Sequence, residues 1–491
     1  MFEEFGTEVG NSEDAIHIAT DWKDDEEIRR RVVHALLFNS VPIDSQYSPV
    51  GEYLADFPNS VHFQLVPVDM ERPLESLRAA LGDLPDTSDV DAQVAAARLP
   101  ICISAAVHNT TYAEAIVVRA AIARFAGTND IDGEILAIRA AENAVIVVDS
   151  TALFTQILLP EITSVAAAGL FASQETTAEQ FRDSVGCLAR MKRASGLRYV
   201  PAAGGDVGSL RTVPEEDRTL RIQEAQRLHD RFEQTARVAH PELVVLPGFA
   251  GNSTHVLNTA LSALDHAAAH GLAFWSDDLF LRRMASEIGV PSFGTVALLE
   301  FLCLEGRVNH EILEASRAAL IVQYYVGIDF DSETYALAMR IDGDSPRGVA
   351  VAMMHGGGDK SNERLTLLMD ALAASAQSPE SLRDWSYTLA RWLLHVSTAV
   401  EGTPATLSIL IRQILGEAWC KSSCLPFVIQ GIRAAAEFAN ESIDPVLDGF
   451  GYFHAGLKKQ VGTEIAATFM LELASQLRDD DRQRVTLAIL S

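Results

Sequence analysis

A short run of apolar and mostly β-branched residues limits the possible folds of this chain more than any other feature. The run, Ala144–Val148 (AVIVV), contains no polar side chain. Such a run is typical of a strand that is buried on both faces of a parallel sheet. Asp149, Ser150 and Thr151 follow it, and residues 152–159 have helical spacing. The segment therefore predicts a strand followed directly by a helix, as in α/β domains.

Further candidate strands and helices alternate along the middle of the chain. The predicted strands are Val165–Ala172, Leu243–Leu246, Leu272–Trp275 and Pro291–Gly294. One helix begins at Thr176, because Thr176 and Glu179 form a capping-box pattern. The later predicted helices are Glu215–Ala239, His255–His270, Asp278–Ile288 and Thr295–Leu304. This alternation predicts a three-layer α/β/α domain with a central, mostly parallel sheet.

The regions on either side of this domain have different patterns. Residues 1–30 are rich in acidic side chains and predict a solvated, mobile arm, and residues 31–140 predict a mixed, mainly helical region. The α/β domain spans residues 141–345, with an insertion at 186–240 that contains the loop Gly196–Pro214 and a long helix. Residues 346–491 predict an all-helical domain, with helices at Leu365–Ala376, Leu382–Val396, Ala405–Leu415, Val428–Phe438, Ile465–Leu477 and Arg482–Leu490.

The charge of the chain limits its possible partners. It contains 67 Asp and Glu residues against 39 Lys and Arg residues, which gives a formal net charge of −28. This acidity argues against a broadly basic surface for non-specific DNA binding. The insertion at 186–240 is enriched in basic residues and contains Lys192, Arg193, Arg198 and Arg211. These four residues form a candidate track for a nucleic-acid backbone. A solvated helix face is the alternative interpretation.

Targeting and redox features are weak in this sequence. The first residues lack the basic and apolar regions of a secretory signal, and no apolar run reaches the length of a membrane span. The five cysteines are odd in number and scattered, which does not suggest a disulfide framework. We therefore expect a cytoplasmic protein that has no membrane partner.

Acidic residues follow two of the predicted strands. Asp149 follows the run at 144–148, and Ser276, Asp277 and Asp278 follow Leu272–Trp275. Sites in open α/β sheets lie at the carboxyl ends of strands, so these carboxylates can converge. Carboxylates are what Mg²⁺ or Mn²⁺ requires, and without a cation they would repel one another. The alternative is local, since Asp149, Ser276 or Asp277 could cap the helix that follows.

These residues resemble the PIN domain, the metal-dependent nuclease fold of many toxins and RNA-processing enzymes. The family pattern is a small hydroxyl residue, any residue and Asp, then Leu three and Ala seven positions on. It is matched here by Ser276, Asp278, Leu281 and Ala285, followed by the family's Gly-Val and Gly-Thr pairs at Gly289-Val290 and Gly294-Thr295. The resemblance covers about Ala144–Leu304. The spacing from Asp149 to Asp278, 278 − 149 = 129 positions, is longer than in compact members of the family.

The resemblance implies roles for particular residues. Asp149 and Asp278 would bind the metal ion, Asp277 would assist them, and Thr295 would supply a hydroxyl group that closes the site. The family's middle acid normally begins the helix after the second strand. Glu179 matches that position best, with Asp183 as the alternative. A site in which neither carboxylate reaches the metal ion would count against catalysis and favour a domain that has lost its activity.

The resemblance also implies a function. It points to a metal-dependent nuclease that uses Mg²⁺ or Mn²⁺ and cuts RNA, or else single-stranded DNA. One alternative is a catalytically inactive PIN-like scaffold that binds a protein partner through its helical domains. Another is a different metal-dependent phosphoester hydrolase on a doubly wound sheet.

Overall fold

The structure is a computed structural model that describes most of the chain from residue 97 onward. Before that it describes residues 20–26, 28–29, 32–33, 49–57, 90 and 93–94. From 97 to 490 it describes all residues except 109, 119–123, 126–129, 160–168, 194–196, 201–208, 247–254, 344–345, 356–360, 398–403, 422, 440–444 and 478. Most of the predicted acidic arm therefore lies outside the described residues. The chain divides into two compact units, Met1–Pro85 with Lys192–Glu215, and Asp86–Met191 with Glu216–Ser491.

The described strands and helices are numbered in chain order. The strands are β1 (Arg124–Phe125), β2 (Val145–Val148), β3 (Ser173–Thr177), β4 (Leu197–Val200), β5 (Ser209–Thr212), β6 (Ala236–Val238), β7 (Ala273–Trp275), β8 (Ser292–Phe293) and β9 (Tyr325–Val326). The helices are α1 (Pro49–Asp56), α2 (Ile101–Val107), α3 (Tyr112–Val118), α4 (Ile131–Ala140), α5 (Ser150–Leu158), α6 (Ala178–Arg193), α7 (Glu215–Gln234), α8 (His255–His270), α9 (Leu279–Glu287), α10 (Thr295–Leu304), α11 (His310–Val322), α12 (Ser332–Asp342), α13 (Gly348–His355), α14 (Ser361–Ala374), α15 (Pro379–Ser397), α16 (Pro404–Leu415), α17 (Leu425–Phe438), α18 (Pro445–Val461), α19 (Thr463–Ala474) and α20 (Asp479–Leu490).

A five-stranded parallel sheet forms the centre of the second unit. Its strand order is β6-β3-β2-β7-β8, and every neighbouring pair is parallel. Ile146 and Val148 of β2 belong to one apolar cluster, whereas Val147 between them belongs to another, because successive side chains of a strand point to opposite faces. Both faces of the sheet are therefore covered. The predicted α/β fold with a central parallel sheet flanked by helices is confirmed.

Two of the predicted strands are wrong. Of Val165–Ala172, residues 165–168 lie outside the described residues and residues 169–170 are helical. The strand beside β2 is instead the polar segment β3, whose buried Thr177 hydroxyl group lies 2.7 Å from the hydroxyl group of Ser262. Residues 243–246 are also not a strand, because the backbone N–H groups of 244, 245 and 246 donate to the buried carboxylate of Asp265. The edge strand is β6.

The first unit contains α1 and an antiparallel hairpin. Arg29 forms an ion pair with Asp56 at the end of α1, with 3.0 Å between nitrogen and oxygen. The segment predicted as the loop Gly196–Pro214 contains β4 and β5, which pair with Arg198 opposite Arg211. The loop prediction was therefore wrong in part, because LRYV and SLRT largely alternate apolar and polar residues, as strands do.

The region after residue 346 is helical in the part that the structure describes, as predicted. The longest helix in this region that the sequence did not predict is α18. It contains three glycines, which disfavour a helix. One of them permits close packing, because a Cβ atom on Gly449 would lie 2.7 Å from Cβ of Ile411 on α16. Gly431 of α17 similarly faces the backbone of α15, with a Cβ position 2.3 Å from the carbonyl oxygen of Arg383.

Segments that precede the central sheet in the sequence contact segments that follow it, and they also contact the sheet region itself. β1 pairs with β9 in a parallel ladder, although about 200 residues separate them. Glu134 of α4 forms an ion pair with Arg282 of α9, and its other carboxylate oxygen accepts the N–H group of Gly294 at 2.9 Å. The second unit therefore includes residues that precede and follow the central sheet.

In the described part of the chain, no single helix combines the length and apolar character needed to cross a membrane. α2 and α3, bent by 100° relative to each other, reach that length and composition only when taken together.

Candidate acidic site

Asp149 lies at the carboxyl end of the central strand β2 and is completely buried. It caps α5, since its Oδ2 accepts the N–H group of Thr151 at 3.1 Å. The same oxygen accepts the hydroxyl groups of Ser276 and Tyr112, each at 3.1 Å. Its Oδ1 accepts the side-chain amide of Gln180 at 2.8 Å. Both carboxylate oxygens of Asp149 are thus hydrogen-bonded.

Asp278 lies just beyond the carboxyl end of the neighbouring strand β7 and is also buried. It caps α9, because its Oδ1 accepts the N–H groups of Phe280 at 2.9 Å and Leu281 at 3.3 Å. Its Oδ2 accepts the N–H group of Ile101, the first residue of α2, at 2.8 Å. The N-cap is therefore Asp278 itself, and neither Ser276 nor Asp277 caps α9.

Ser276 links the two aspartates, and their charges interact. Its hydroxyl group donates to Asp149 and accepts the N–H group of Asp278 at 3.1 Å. Burial raises the pKa of Asp278 to about 6, and the nearby charge of Asp149 also raises it. Burial likewise raises the pKa of Asp149, against the opposing effect of hydrogen bonds from Thr151, Gln180 and Ser276. The structure thus brings Asp149, Ser276 and Asp278 together. The two aspartates form a buried pair of like charges, and the hydroxyl group of Ser276 lies between them.

Asp277 and Thr295 contact each other and connect the sheet to α10. The carboxylate of Asp277 accepts both the N–H and the hydroxyl group of Thr295 at 2.7 Å. It also accepts the hydroxyl group of Thr155 at 2.5 Å, and that hydroxyl group lies 2.5 Å from the hydroxyl group of Tyr325. Burial raises the pKa of Asp277. Its backbone N–H group donates to Thr151, so Asp277 adjoins the acidic pair while its carboxylate holds the start of α10.

Neither candidate for the middle acid contacts the acidic pair. α6 begins at Ala178, and the hydroxyl group of Thr177 accepts the N–H group of Gln180 at 3.4 Å, so the predicted capping box at Thr176 and Glu179 is wrong by one position. Glu179 forms an ion pair with Arg182 at 3.0 Å. Asp183 accepts the N–H groups of Tyr112 and Ala113 of α3. The α6 residue that does reach Asp149 is Gln180.

Comparisons with known proteins agree with this arrangement of strands and acidic residues. Residues 147–287 match a family model described as the PIN domain associated with the TPR-GreAB-C-PIN system. The match begins in β2, ends at the last residue of α9, and includes Asp149 and Asp278. The central third of the chain is a PIN-like domain. No curated protein and no solved structure matches the chain.

PIN domains generally use divalent metal ions, so the donors of this PIN-like domain must be compared with what a metal ion needs. Carboxylate and hydroxyl oxygens suit Mg²⁺ and Mn²⁺ chemically. In the present arrangement, however, N–H and O–H donors already occupy the carboxylate oxygens of Asp149 and Asp278. Among the residues that the structure describes, no three His, Cys, Asp or Glu side chains are grouped to hold a metal ion. A cation therefore does not fit the PIN-like domain in this arrangement.

The basic residues of the predicted nucleic-acid track belong to the first unit. Lys192 and Arg193 end α6 and are exposed. Arg198 and Arg211 are register partners on β4 and β5, and their side chains are not among those described. The role of these residues in binding nucleic acid stays a prediction.

Sequence reasoning missed three residues that donate to the acidic pair, namely Ile101, Tyr112 and Gln180. Ile101 is 177 residues from its partner Asp278, and Tyr112 is 37 residues from Asp149, so neither contact leaves a local pattern. Gln180 had a detectable signal. A strand placed at 173–177 begins α6 at Ala178, and Gln180 would then be the third residue of that helix.

Proposed function

We propose that the PIN-like domain is a nuclease that hydrolyses phosphodiester bonds and uses Asp149 and Asp278 as its paired carboxylates. The observation that carries this proposal is the burial of two aspartates at adjacent strand ends, joined through Ser276. Such a pair is costly, because burial and mutual repulsion both disfavour two negative charges. Perturbed titratable groups of this kind are concentrated at functional sites. The position also agrees with the rule that sites in parallel sheets lie at the carboxyl ends of strands.

The finer parts of this proposal rest on the family. Mg²⁺ or Mn²⁺ is the required cofactor, RNA is the favoured substrate and single-stranded DNA is the alternative. Lys192, Arg193, Arg198 and Arg211 are proposed to bind the nucleic-acid backbone. The description of the matching family names a TPR-GreAB-C system. We therefore propose that the helical region beyond residue 346 binds a protein partner.

One observation favours a second function, a catalytically inactive PIN-like scaffold. Gln180 presents an amide to Asp149 from α6, the helix that was expected to supply an acid. Glu179 and Asp183 are each bonded elsewhere. A neutral amide donates a hydrogen bond but adds no negative charge for a cation. In that case the acidic pair would be a structural feature of the fold, and the protein would act through its partner.

A cleavage assay separates these two functions. Labelled single-stranded RNA and DNA are incubated with Mn²⁺ and the full chain, its Asp149→Asn variant or its Asp278→Asn variant. Asp342→Asn is the matched control, because Asp342 of α12 also accepts backbone N–H groups but lies outside the matched residues 147–287. The nuclease proposal expects both site variants to lose at least about two orders of magnitude in rate, as is typical when charged groups that stabilise a transition state are removed.

The control variant should cut as the wild type does. Equal cleavage by the wild type and both site variants would assign the activity to a contaminant and refute the proposal. If the wild type leaves both substrates intact, the scaffold is the correct interpretation.

A further inference from the structure

α16 and α18 lie side by side in the helical region and leave an open groove at the protein surface. A Cβ atom on Gly449 of α18 would lie 2.7 Å from Cβ of Ile411 of α16, so the two helices come close together. The groove next to this contact has a volume of about 410 Å³. Ligand sites have volumes of roughly 300–1,000 Å³. The groove is therefore large enough to receive side chains of a partner.

The residues that line the groove have helical spacing on both sides. On α18 the lining residues are Phe453, Gly456, Leu457 and Gln460, which stand at positions i, i+3, i+4 and i+7. Along α16 the lining begins at Ile409 and reaches Gly416, the residue after the helix, with the same spacing. Residues with this spacing form one face of a helix over two turns. A groove between two such faces fits a third helix, whose side chains have the same spacing.

The groove is apolar in its centre and open to solvent. Ile409 is 54% exposed, and a Cβ atom on Gly456 would project into open space. Phe453 and Leu457 are half-buried. The apolar surface continues onto α19, where the ring centroid of Phe469 lies 6.4 Å from that of Phe453 and the side chain is 42% exposed. Contiguous apolar surface of this kind marks protein interaction sites.

The charge of α16 and α18 differs from that of the whole chain. These helices contain three basic residues, Arg412, Lys458 and Lys459, against the acidic residue Asp448, whereas the chain has a net charge of −28. The three basic side chains are exposed, Arg412 lies in the lining, and none of the three forms an ion pair within the part of the chain that the structure describes. The lining also includes Glu417, which follows the end of α16. An acidic partner is therefore attracted to these two helices, although the chain as a whole repels it.

We propose that the groove between α16 and α18 binds an acidic amphipathic helix of a partner protein. The apolar side chains of that helix enter the groove at Phe453, Gly456 and Leu457, and its acidic side chains lie against Arg412 and the end of α18. This inference rests on the proposed function, because that function assigns a protein partner to the helical region. It does not depend on cleavage, since the groove lies outside the matched residues 147–287.

One substitution fills the groove and leaves the fold intact. Gly456→Leu places a side chain in the open space, and it replaces a glycine inside a helix by a good helix former. The matched control is Gly451→Leu on the same helix, because a Cβ atom there also meets open space but the residue does not line the groove. Thermal unfolding should show that neither leucine variant is less stable than the wild type. Arg412→Glu is a second variant, which reverses the charge inside the groove.

The probe is a fluorescently labelled synthetic peptide of about 14 residues, or four helical turns, held helical by a covalent side-chain staple. It has leucine along one face and glutamate on the other, and a scrambled peptide of the same composition lacks the apolar face. Fluorescence anisotropy measures the binding of each peptide to the full chain. The wild type should bind the amphipathic peptide more tightly than the scrambled one. Gly456→Leu should weaken this binding on the order of tenfold or more, because a leucine side chain of the peptide can no longer be buried.

Gly451→Leu should bind the peptide as the wild type does, and Arg412→Glu should bind it more weakly. Absence of binding to the wild type, equal affinity for the scrambled peptide, or equal affinity in Gly456→Leu overturns the proposal. An affinity that Arg412→Glu does not lower overturns the acidic partner. Light scattering tests another occupant: a wild-type dimer that Gly456→Leu converts into a monomer would assign the groove to a second copy of this chain and overturn the proposal.

Two further measurements separate the groove from the nuclease. Asp149→Asn should bind the peptide as the wild type does, and Gly456→Leu should cut RNA as the wild type does. Peptide binding at the groove without RNA cleavage supports the groove and counts against the nuclease. RNA cleavage without peptide binding overturns the groove and leaves the nuclease standing.

Discussion

Replacing Asp183 with asparagine should remove a pH-dependent loss of stability from this protein. Asp183 is 5% exposed, and burial raises the pKa of its carboxyl group from 3.8 to about 7. Neighbouring groups shift this pKa in both directions. It is lowered by hydrogen bonds from Ala113 and Tyr112 and by the charge of Arg190, and it is raised by the charge of Glu114. Burial raises the pKa of the Cys187 thiol, and the nearby charge of Asp183 raises it further.

The size of the effect follows from this shift. A raised pKa means that between about pH 4 and pH 7 the folded state binds a proton that the unfolded state has released. The free energy of unfolding therefore falls as pH rises through that window. At about 1.4 kcal/mol per pKa unit, a rise from 3.8 to about 7 corresponds to a total loss of about 4 kcal/mol. The amide that replaces the carboxyl group cannot titrate, so Asp183→Asn lacks this loss.

Urea unfolding of the wild type and Asp183→Asn at several pH values from about 5 to about 8 measures the effect. Of the total, about 2 kcal/mol falls between about pH 5 and pH 7. The hydrogen bond that asparagine cannot make adds an offset that is independent of pH, so only the slope of the difference matters. Asp132→Asn on the exposed side of α4 is the control and should run parallel to the wild type. A difference between wild type and Asp183→Asn that stays constant over this range would refute the reasoning.

Two further predictions concern the helical region. Gly449→Ala should lower the free energy of unfolding by about 1–3 kcal/mol because its Cβ atom would overlap α16, whereas Gly451→Ala on the same helix meets nothing within 4 Å and should raise it by roughly 0.5–1 kcal/mol. Thermal unfolding compares the two, and equal shifts would contradict the packing. Arg433→Lys should cost roughly 1 kcal/mol in the same assay, because lysine cannot make both 2.6 Å bonds to the carboxylate of Asp481. Arg482→Lys, in a more exposed ion pair, should have almost no effect, and a comparable loss there would contradict this reasoning.

The sequence correctly predicts those helices and strands whose apolar residues follow the usual spacing of the element they form. Helices His255–His270 and Thr295–Leu304 have the bounds that their spacing predicts. The pattern fails where side chains replace the usual backbone partners. Residues 243–246 look like a strand, but Asp265 takes the N–H groups that a neighbouring strand would need. β3 has a polar sequence, yet it lies between β2 and β6, where hydroxyl groups such as that of Thr177 find buried partners.

Some residues of the candidate site could likewise be predicted from the sequence, and others could not. Asp149 and Asp278 could be placed at one edge of the sheet because Asp149 directly follows one strand, Asp278 lies just beyond the next, and strand ends of a parallel sheet lie together. The donors from Ile101 and Tyr112 could not be predicted, since their contacts depend on how a distant segment packs. Glu179 was preferred because the helix start was placed one position too early, and helix rotation turns such a shift into a different side chain, here Gln180.

The ion pair between Glu134 and Arg282 determines how this chain can be divided. Arg282 lies inside the family match, and Glu134 precedes that match by 13 residues. A fragment cut at residues 147 and 287 would keep the guanidinium group, of which only 2% is exposed, and lose its carboxylate together with the strand at 292–293. Removing one partner of a buried ion pair is destabilising. A fragment for expression should therefore extend from α4 to at least α10. A recombination event that transferred only the matched segment to another protein would leave Arg282 without the carboxylate of Glu134.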